Sequence, residues 1–242
     1  MRALFSVLIC SLLAHSAWAE VEDAIIVTGS RVVIEEMPGV VLKRNGDYLL
    51  LPVTVVNDSR LKNQRHDEIF KTLRKLLKSA RQAGGIEIGV IVDERFVRPL
   101  TDDNYKIDLV ENEQRPDTSR ATIRVSAPLN QSSDPGKLIA KLASFVENAQ
   151  VVGRTELRAE DEVEVSILNP GQYRDEIIRL VVEDVKRVTA ALGEDYRIRL
   201  AGIDRQVKWV RSGLAEVTLY VPYGYEVLPA ADAYFINENR YE

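Results

Sequence analysis

The strongest constraint on the fold is one long amphipathic segment, residues 60–83. Its apolar residues recur every three or four positions, so they share one face of an α-helix opposite a Lys- and Arg-rich face: Ile69, Phe70, Leu73, Leu76, Leu77 and Ala80. Gly84 and Gly85 follow, and glycines are typical of a helix end. A helix with one apolar face must pack on another element. The chain is therefore predicted to pack this helix against its neighbouring strand-like segments.

Two further segments have the same helical pattern and share a start signal, a capping residue followed by proline. Asp134 and Pro135 begin a helix predicted over residues 135–148, with four residues expected to be buried: Leu138, Leu142, Phe145 and Val146. Asn169 and Pro170 begin a third helix that ends at Gly193, with seven residues on its apolar side: Ile177, Ile178, Val181, Val182, Val185, Val188 and Leu192.

β-branched and apolar runs between the helices predict short strands. They are expected at residues 24–34, 48–56, 86–92, 107–110, 121–126, 163–168, 196–202, 207–211 and 215–221. Ser212 and Gly213 join the last two as a hairpin, and residues 101–119 are otherwise expected to form a loop. The sequence thus predicts the α+β class, a largely antiparallel sheet with three amphipathic helices packed on it.

Residues 1–19 have the features of a secretory signal peptide. Arg2 precedes an apolar run over residues 3–14, and Ala17, Trp18 and Ala19 form a small-residue cleavage motif. The run is too short to span a bilayer, and no longer apolar stretch follows it. We therefore expect a mature protein that starts near Glu20, lies in the periplasm and has no transmembrane span. Cys10 is expected to be removed with the peptide.

The composition after residue 19 excludes several kinds of chemistry. The chain has 32 Lys and Arg, 37 Asp and Glu, one Cys and two His. Loss of Arg2, Cys10 and His15 leaves a net charge of −6, no cysteine and the single histidine His66. Disulfides, cysteine nucleophiles and sites built from several histidines are then excluded. An acidic chain without basic runs is not expected to bind nucleic acid. We predict no enzyme activity, cofactor or metal.

A catalytic alternative would centre on His66 with a nearby carboxylate such as Asp67, at a polar helix start. A solvated surface histidine accounts for the same pattern. Two acidic pairs, Asp93 with Glu94 and Asp102 with Asp103, lack the spacing of a calcium loop and are expected to be solvated.

The order of elements from Tyr48 to Val227 resembles the SIMPL family, also known as DUF541. The matching segments are the helix end at residues 83–86, the strand and helix at 121–153, the helix from 173–176 to 190–193, and the closing strand at 216–221. The third helix departs from the family in being rich in valine and isoleucine instead of alanine.

The SIMPL resemblance implies an exported cell-envelope protein that acts without catalysis, as a binding or assembly module. Some members of that family form ring-like oligomers, so a protein partner or self-association is expected. The implied organisation is a signal peptide at residues 1–19, an extended segment or first strand at 20–47, a SIMPL-like domain at 48–229 and a tail at 230–242.

Residues 23–31 resemble the TonB box region of TonB-dependent receptors. The resemblance implies that Ile25, Ile26, Val27 and Thr28 add an extended strand to the TonB protein. No long series of strands follows that could build a receptor barrel. The alternative function is thus an accessory protein of TonB-dependent transport. The alternative interpretation is that residues 25–33 are the first strand of the domain.

Aromatic residues are concentrated in the last 23 residues: Tyr220, Tyr223, Tyr225, Tyr234, Phe235 and Tyr241. Tyrosine has an apolar ring and a polar tip, which suits protein interfaces. These rings could also cover a sheet edge of their own domain. Tyr223, Tyr225 and Tyr234 are the predicted partner-binding residues of this region.

Overall fold

The computed structural model describes residues 25–28, 37–92, 96–112, 115–130 and 132–231. The predicted signal peptide, most of the predicted tail, and Tyr234 lie outside the described residues. Side chains are described in these ranges except at residues 25–28 and 112–116.

The three predicted helices are confirmed. They are α1 at Lys62–Ala83, α2 at Pro135–Glu147 and α3 at Arg174–Leu192, the last preceded by a short 3₁₀ helix at Pro170–Tyr173. Asp134 caps α2, because its carboxylate accepts the backbone N–H of Lys137 at 3.2 Å. Gly84 and Gly193 end α1 and α3 with positive φ angles, which glycine adopts without strain.

The strands of the described residues are β1 at Ile25–Thr28, β2 at Leu42–Asn45, β3 at Tyr48–Asn57, β4 at Glu87–Val92, β5 at Phe96–Pro99, β6 at Val110–Asn112, β7 at Arg115–Pro128, β8 at Thr155–Ala159, β9 at Glu164–Ile167, β10 at Tyr196–Ala201, β11 at Lys208–Arg211, β12 at Glu216–Tyr220 and β13 at Gly224–Pro229. Each pairing between them is antiparallel. The predicted α+β class is therefore confirmed.

Six strands form a closed ring. β3 pairs with β7, β7 with β4, β4 with β5, β5 with β1, β1 with β9, and β9 returns to β3. β6 and β8 extend this eight-stranded sheet outside the ring, on β7 and β3 respectively. The short strand β1 is thus the element that closes the ring between β5 and β9.

The two faces of the ring have separate cores. Alternate residues of β3, from Leu49 to Val55, join the main core beneath α1 and α2. Leu50 points the other way and is fully buried with Val97, against Tyr48, Ile91 and Leu168. This smaller cluster therefore lies on the face of β3 that is turned away from α1 and α2.

The remaining strands form two smaller sheets in place of one continuous sheet. β11, β12 and β2 make a three-stranded sheet, and β10 pairs with β13. The predicted hairpin through Ser212 and Gly213 is confirmed by the register of β11 on β12. Arg44 on β2 binds Glu176 on α3 at 2.6 Å, which ties the three-stranded sheet to that helix.

Several local predictions were wrong. The strand expected at 107–110 lies at Val110–Asn112, and β7 is much longer than the predicted strand at 121–126. On α3, Ile177 and Val181 are buried as expected, whereas Val182 and Leu192 are exposed. The second half of α3 therefore leaves part of its apolar side uncovered by the described residues.

Candidate assembly surface

Strands β10 and β13 form a two-stranded ribbon near the C-terminal end of the described chain. The register runs over six residue pairs, from Tyr196 opposite Pro229 to Ala201 opposite Gly224. Within the described part of the chain, neither strand pairs with any other, so both outer edges are open. Unpaired edges present rows of N–H and C=O groups that can pair with a strand of another chain.

One face of this ribbon carries exposed apolar side chains. Tyr196, Tyr225 and Val227 share that face by register, and they are 41%, 46% and 42% exposed. Leu200 on the same face packs against the main core, and α3 contacts β10. We call Tyr196, Tyr225 and Val227 the ribbon patch. Large exposed apolar side chains next to an open strand edge are typical of a protein contact surface.

The opposite face of the ribbon is charged. Arg199 and Glu226 stand opposite each other in the register and form an ion pair. The ribbon therefore has one charged face and one apolar face, and the apolar face is covered at Leu200 but exposed at the ribbon patch.

The tyrosines predicted as partner-binding residues lie in different environments. Tyr225 belongs to the ribbon patch and is exposed. Tyr223 is half-buried and packs against the main core, and burial raises the pKa of its phenol. The side chain of Tyr223 therefore serves its own domain, while that of Tyr225 is open to a partner.

The TonB box-like residues Ile25–Thr28 form β1. The backbone of Ile26 pairs with Phe96 on one side and with Ile167 on the other. An extended strand that adds to TonB needs a free edge, so such binding would require β1 to leave one of its neighbours. The TonB interaction stays a prediction.

His66 lies in a charged cluster between α1 and the neighbouring strands. Its Nε2 atom is 2.9 Å from Oε1 of Glu111, and Arg65 donates to the other oxygen of Glu111 at 3.0 Å. These contacts, with His66 foremost, lower the pKa of Glu111 to about 2. Asp67, the carboxylate expected beside His66, instead binds Lys71 at 2.6 Å.

The order of groups in this cluster differs from that of a hydrolase triad. Ser119 is 0% exposed, accepts from Nε of Arg65 at 2.8 Å and donates to Glu111 at 3.0 Å. The carboxylate thus lies between the serine and the histidine, whereas catalysis needs the histidine between them. The cluster joins α1 to β6 and β7.

A second buried network surrounds Glu68 on α1. Its carboxylate accepts from Asn57 at 2.7 Å, Ser59 at 2.8 Å, Gln64 at 2.8 Å and the backbone N–H of Arg154 at 3.0 Å. These hydrogen bonds lower the pKa of Glu68 to about 2. The network attaches the segment that precedes β8 to helix α1.

Of the two acidic pairs named from the sequence, only Asp102 with Asp103 lies among the described residues, and it forms no metal site there. Arg81 binds Asp102 at 2.6 Å and lowers its pKa, and Asp93 and Glu94 lie outside the described residues. Among the residues described, no group of three metal-ligating side chains is close enough to hold an ion.

Lys43 and Arg44, which line a cleft at β2, already form ion pairs. This cleft of about 480 Å³ is lined by Lys43, Arg44, Asp47 and Tyr173, among others. Lys43 lies 3.6 Å from Glu216, and Arg44 binds Glu176 and stacks over the Tyr173 ring at 5.0 Å. A charged ligand in this cleft would therefore have to compete with these existing ion pairs.

Tyr225 was predicted from the sequence, but the strand that contains it, β13, was not. No strand is predicted there, yet β13 runs over six residues from Gly224 to Pro229. The alternation of Tyr225, Glu226 and Val227 was the available signal for a short strand.

Comparison with known proteins gives no assignment, because no family model and no curated protein matches this chain. In the described ranges, no helix combines the length and hydrophobicity that crossing a membrane requires.

Proposed function

We propose that this chain is an exported, SIMPL-like protein of the periplasm or cell envelope that acts without catalysis as an assembly module. Copies of the chain associate through the ribbon patch and the open edges beside it. The SIMPL-like order of elements and the signal-peptide features of residues 1–19 support the location and the class.

The observation that carries the proposal is the incomplete ribbon of β10 and β13. An isolated two-stranded ribbon is marginally stable, and a third strand or a packed face stabilises it. Here both edges are open within the described chain, and Tyr225 and Val227 remain exposed. A second copy supplies a strand for the open edge and apolar contacts for the part of the face that Leu200 and α3 leave exposed, since its own ribbon has the same edge and the same patch.

Non-catalytic action is supported by the arrangement around the one histidine of the mature chain. His66 is engaged with Glu111, and the neighbouring Ser119 is buried on the far side of that carboxylate. These groups stabilise the domain by ion pairs and hydrogen bonds.

Size-exclusion chromatography with light scattering, over a wide concentration range, tests the proposal. The exported protein is expected to elute as an oligomer, and Val227→Lys is expected to shift it toward the monomer because a charge is desolvated in the interface. Val151→Lys is the matched control, since Val151 and Val227 are both 42% exposed and Val151 lies outside the ribbon.

Two results would contradict this proposal. One is a wild-type protein that stays strictly monomeric at every concentration. The other is an oligomer whose mass responds equally to Val227→Lys and Val151→Lys.

A further inference from the structure

The closed ring depends on β1, because within the described residues this strand is the link between β5 and β9. β5 and β9 each pair with β1, and in the described residues they do not pair with each other. Removing β1 would therefore leave a gap one strand wide. We call this gap, with β5 and β9 as its walls, the closing slot.

The closing slot holds β1 through the main chain on both sides. Ile25 and Ile26 pair with β5, and Ile26, Val27 and Thr28 pair with β9. Main-chain pairing depends little on which copy of a sequence supplies the strand. Every contact that β1 makes in its own ring is thus available, unchanged, to the β1 of a second copy.

The connectivity favours such an exchange. β1 precedes all other described elements, so only the chain after Thr28 ties it to the rest of the domain. Eight residues, 29–36, separate Thr28 from Met37. A stretch of that length reaches at most roughly 30 Å, which sets how near two copies must lie for exchange.

We propose that the closing slot accepts β1 from a second copy of this chain, so that copies are linked by strand exchange. This inference rests on the proposed assembly function and deepens it by naming the linking segment. Because the native contacts are kept, exchange costs little free energy per copy. Donation from each copy to the next is a head-to-tail contact, which closes into a ring when the rotation allows.

Two singly substituted chains test the exchange. One carries Ile26→Cys and the other Phe96→Cys, since these positions are opposite each other across β1 and β5. Both also carry Cys10→Ala, so the introduced cysteines are the only thiols whether or not residues 1–19 are removed. When the chains are co-expressed and oxidised, a disulfide between positions 26 and 96 can form only between two copies.

The expected result is a disulfide-linked heterodimer that separates into single chains on reduction. The matched control pairs Ile26→Cys with Lys137→Cys, an exposed site at the start of α2, and is expected to give at most a tenth of that product. Equal cross-linking of the two pairs, or no heterodimer from folded chains, would overturn the inference.

A peptide measurement covers the case in which the cysteine variants do not fold. Ile26→Pro removes a donor from a position paired on both sides, which proline does not tolerate within a sheet. A fluorescent peptide of residues 21–31 is expected to bind this full-length variant, or to restore its folded circular dichroism. A scrambled peptide should do neither, and failure of the native peptide would count against the slot.

The two proposals fail in different ways. Oligomers that dissociate with Val227→Lys but show no cross-link between positions 26 and 96 would remove strand exchange and leave ribbon assembly intact. A monomeric wild-type protein would remove both.

Discussion

At the scale of single residues, Glu68 and Glu111 are carboxyl groups that stabilise contacts between elements. Glu68 and Glu111 are held by donors from other elements, and both have a pKa of about 2. The charged form of each carboxyl group is therefore more stable in the folded state than in the unfolded state. These residues set how the domain responds to acid.

Glu68→Gln should lower the free energy of unfolding at pH 7 by about 2 kcal/mol. Four donors converge on the two oxygens of Glu68, and an amide offers one oxygen and two N–H groups of its own. Asp67→Asn is the matched control, because Asp67 is exposed and contacts Lys71 at the surface. Urea denaturation of both variants measures the difference.

The pH dependence of the same variant has a defined sign. The folded pKa of about 2 lies below the ordinary glutamate pKa of 4.5. The contribution of Glu68 is thus complete above pH 4.5 and is lost as the pH falls toward 2. Wild type and Glu68→Gln should converge in stability over that interval. A gap between them that stays constant down to pH 3 would contradict this role.

At the scale of elements, α2 differs from α1 and α3 in its start. Asp134 caps α2 with its side chain, whereas the residues before α1 and α3, Leu61 and Tyr173, make no side-chain cap. The helix also contributes Leu142 and Val146 to the main core. Its N-terminus is therefore the best place to test a local contribution to the fold.

Asp134→Ala should lower the free energy of unfolding by about 1 kcal/mol, because the N–H of Lys137 loses its acceptor. Lys137→Ala is the control, since it removes the side chain 3.8 Å from Asp134 and keeps the capped N–H. Thermal unfolding monitored by circular dichroism compares them. An equal loss in both variants would assign the effect to the ion pair instead of the cap.

The helices were predictable because their signals are local. The three- and four-residue spacing of Ile69, Leu73 and Leu76 specifies a helix face without knowledge of its partner. β8 carries no such signal, since Leu157 is the one large apolar residue among its five. Its strand conformation comes from pairing with Val53–Asn57, far away in the sequence. Only the folded chain supplies that information.

At the candidate sites too, features with a local sequence signal were predictable and contacts between distant residues were not. The cluster of tyrosines identified Tyr225 from composition alone, since aromatic bias is visible in the sequence. The contact of His66 with Glu111 was not predictable, because 45 positions separate them and the expected carboxylate was its neighbour Asp67. The ring closed by β1 likewise depends on pairs between distant residues, Ile26 with Ile167 among them.

At the scale of the whole molecule, we propose two places at which strand pairing extends to another copy. The ribbon of β10 and β13 has open edges beside exposed apolar residues, and the closing slot holds a strand that exchange can supply. A copy with two distinct contact surfaces can join neighbours on both sides. This is the geometry from which closed rings are built.

Photo-cross-linking in the cell envelope tests the central claim, self-assembly through the ribbon patch, most directly. A photo-reactive amino acid replaces Tyr225 in the exported protein, and the same group at Val151 serves as the control. The account predicts adducts at multiples of the single-chain mass from position 225, and few or none from position 151. Adducts only with a different protein, or no adducts from position 225, would contradict it.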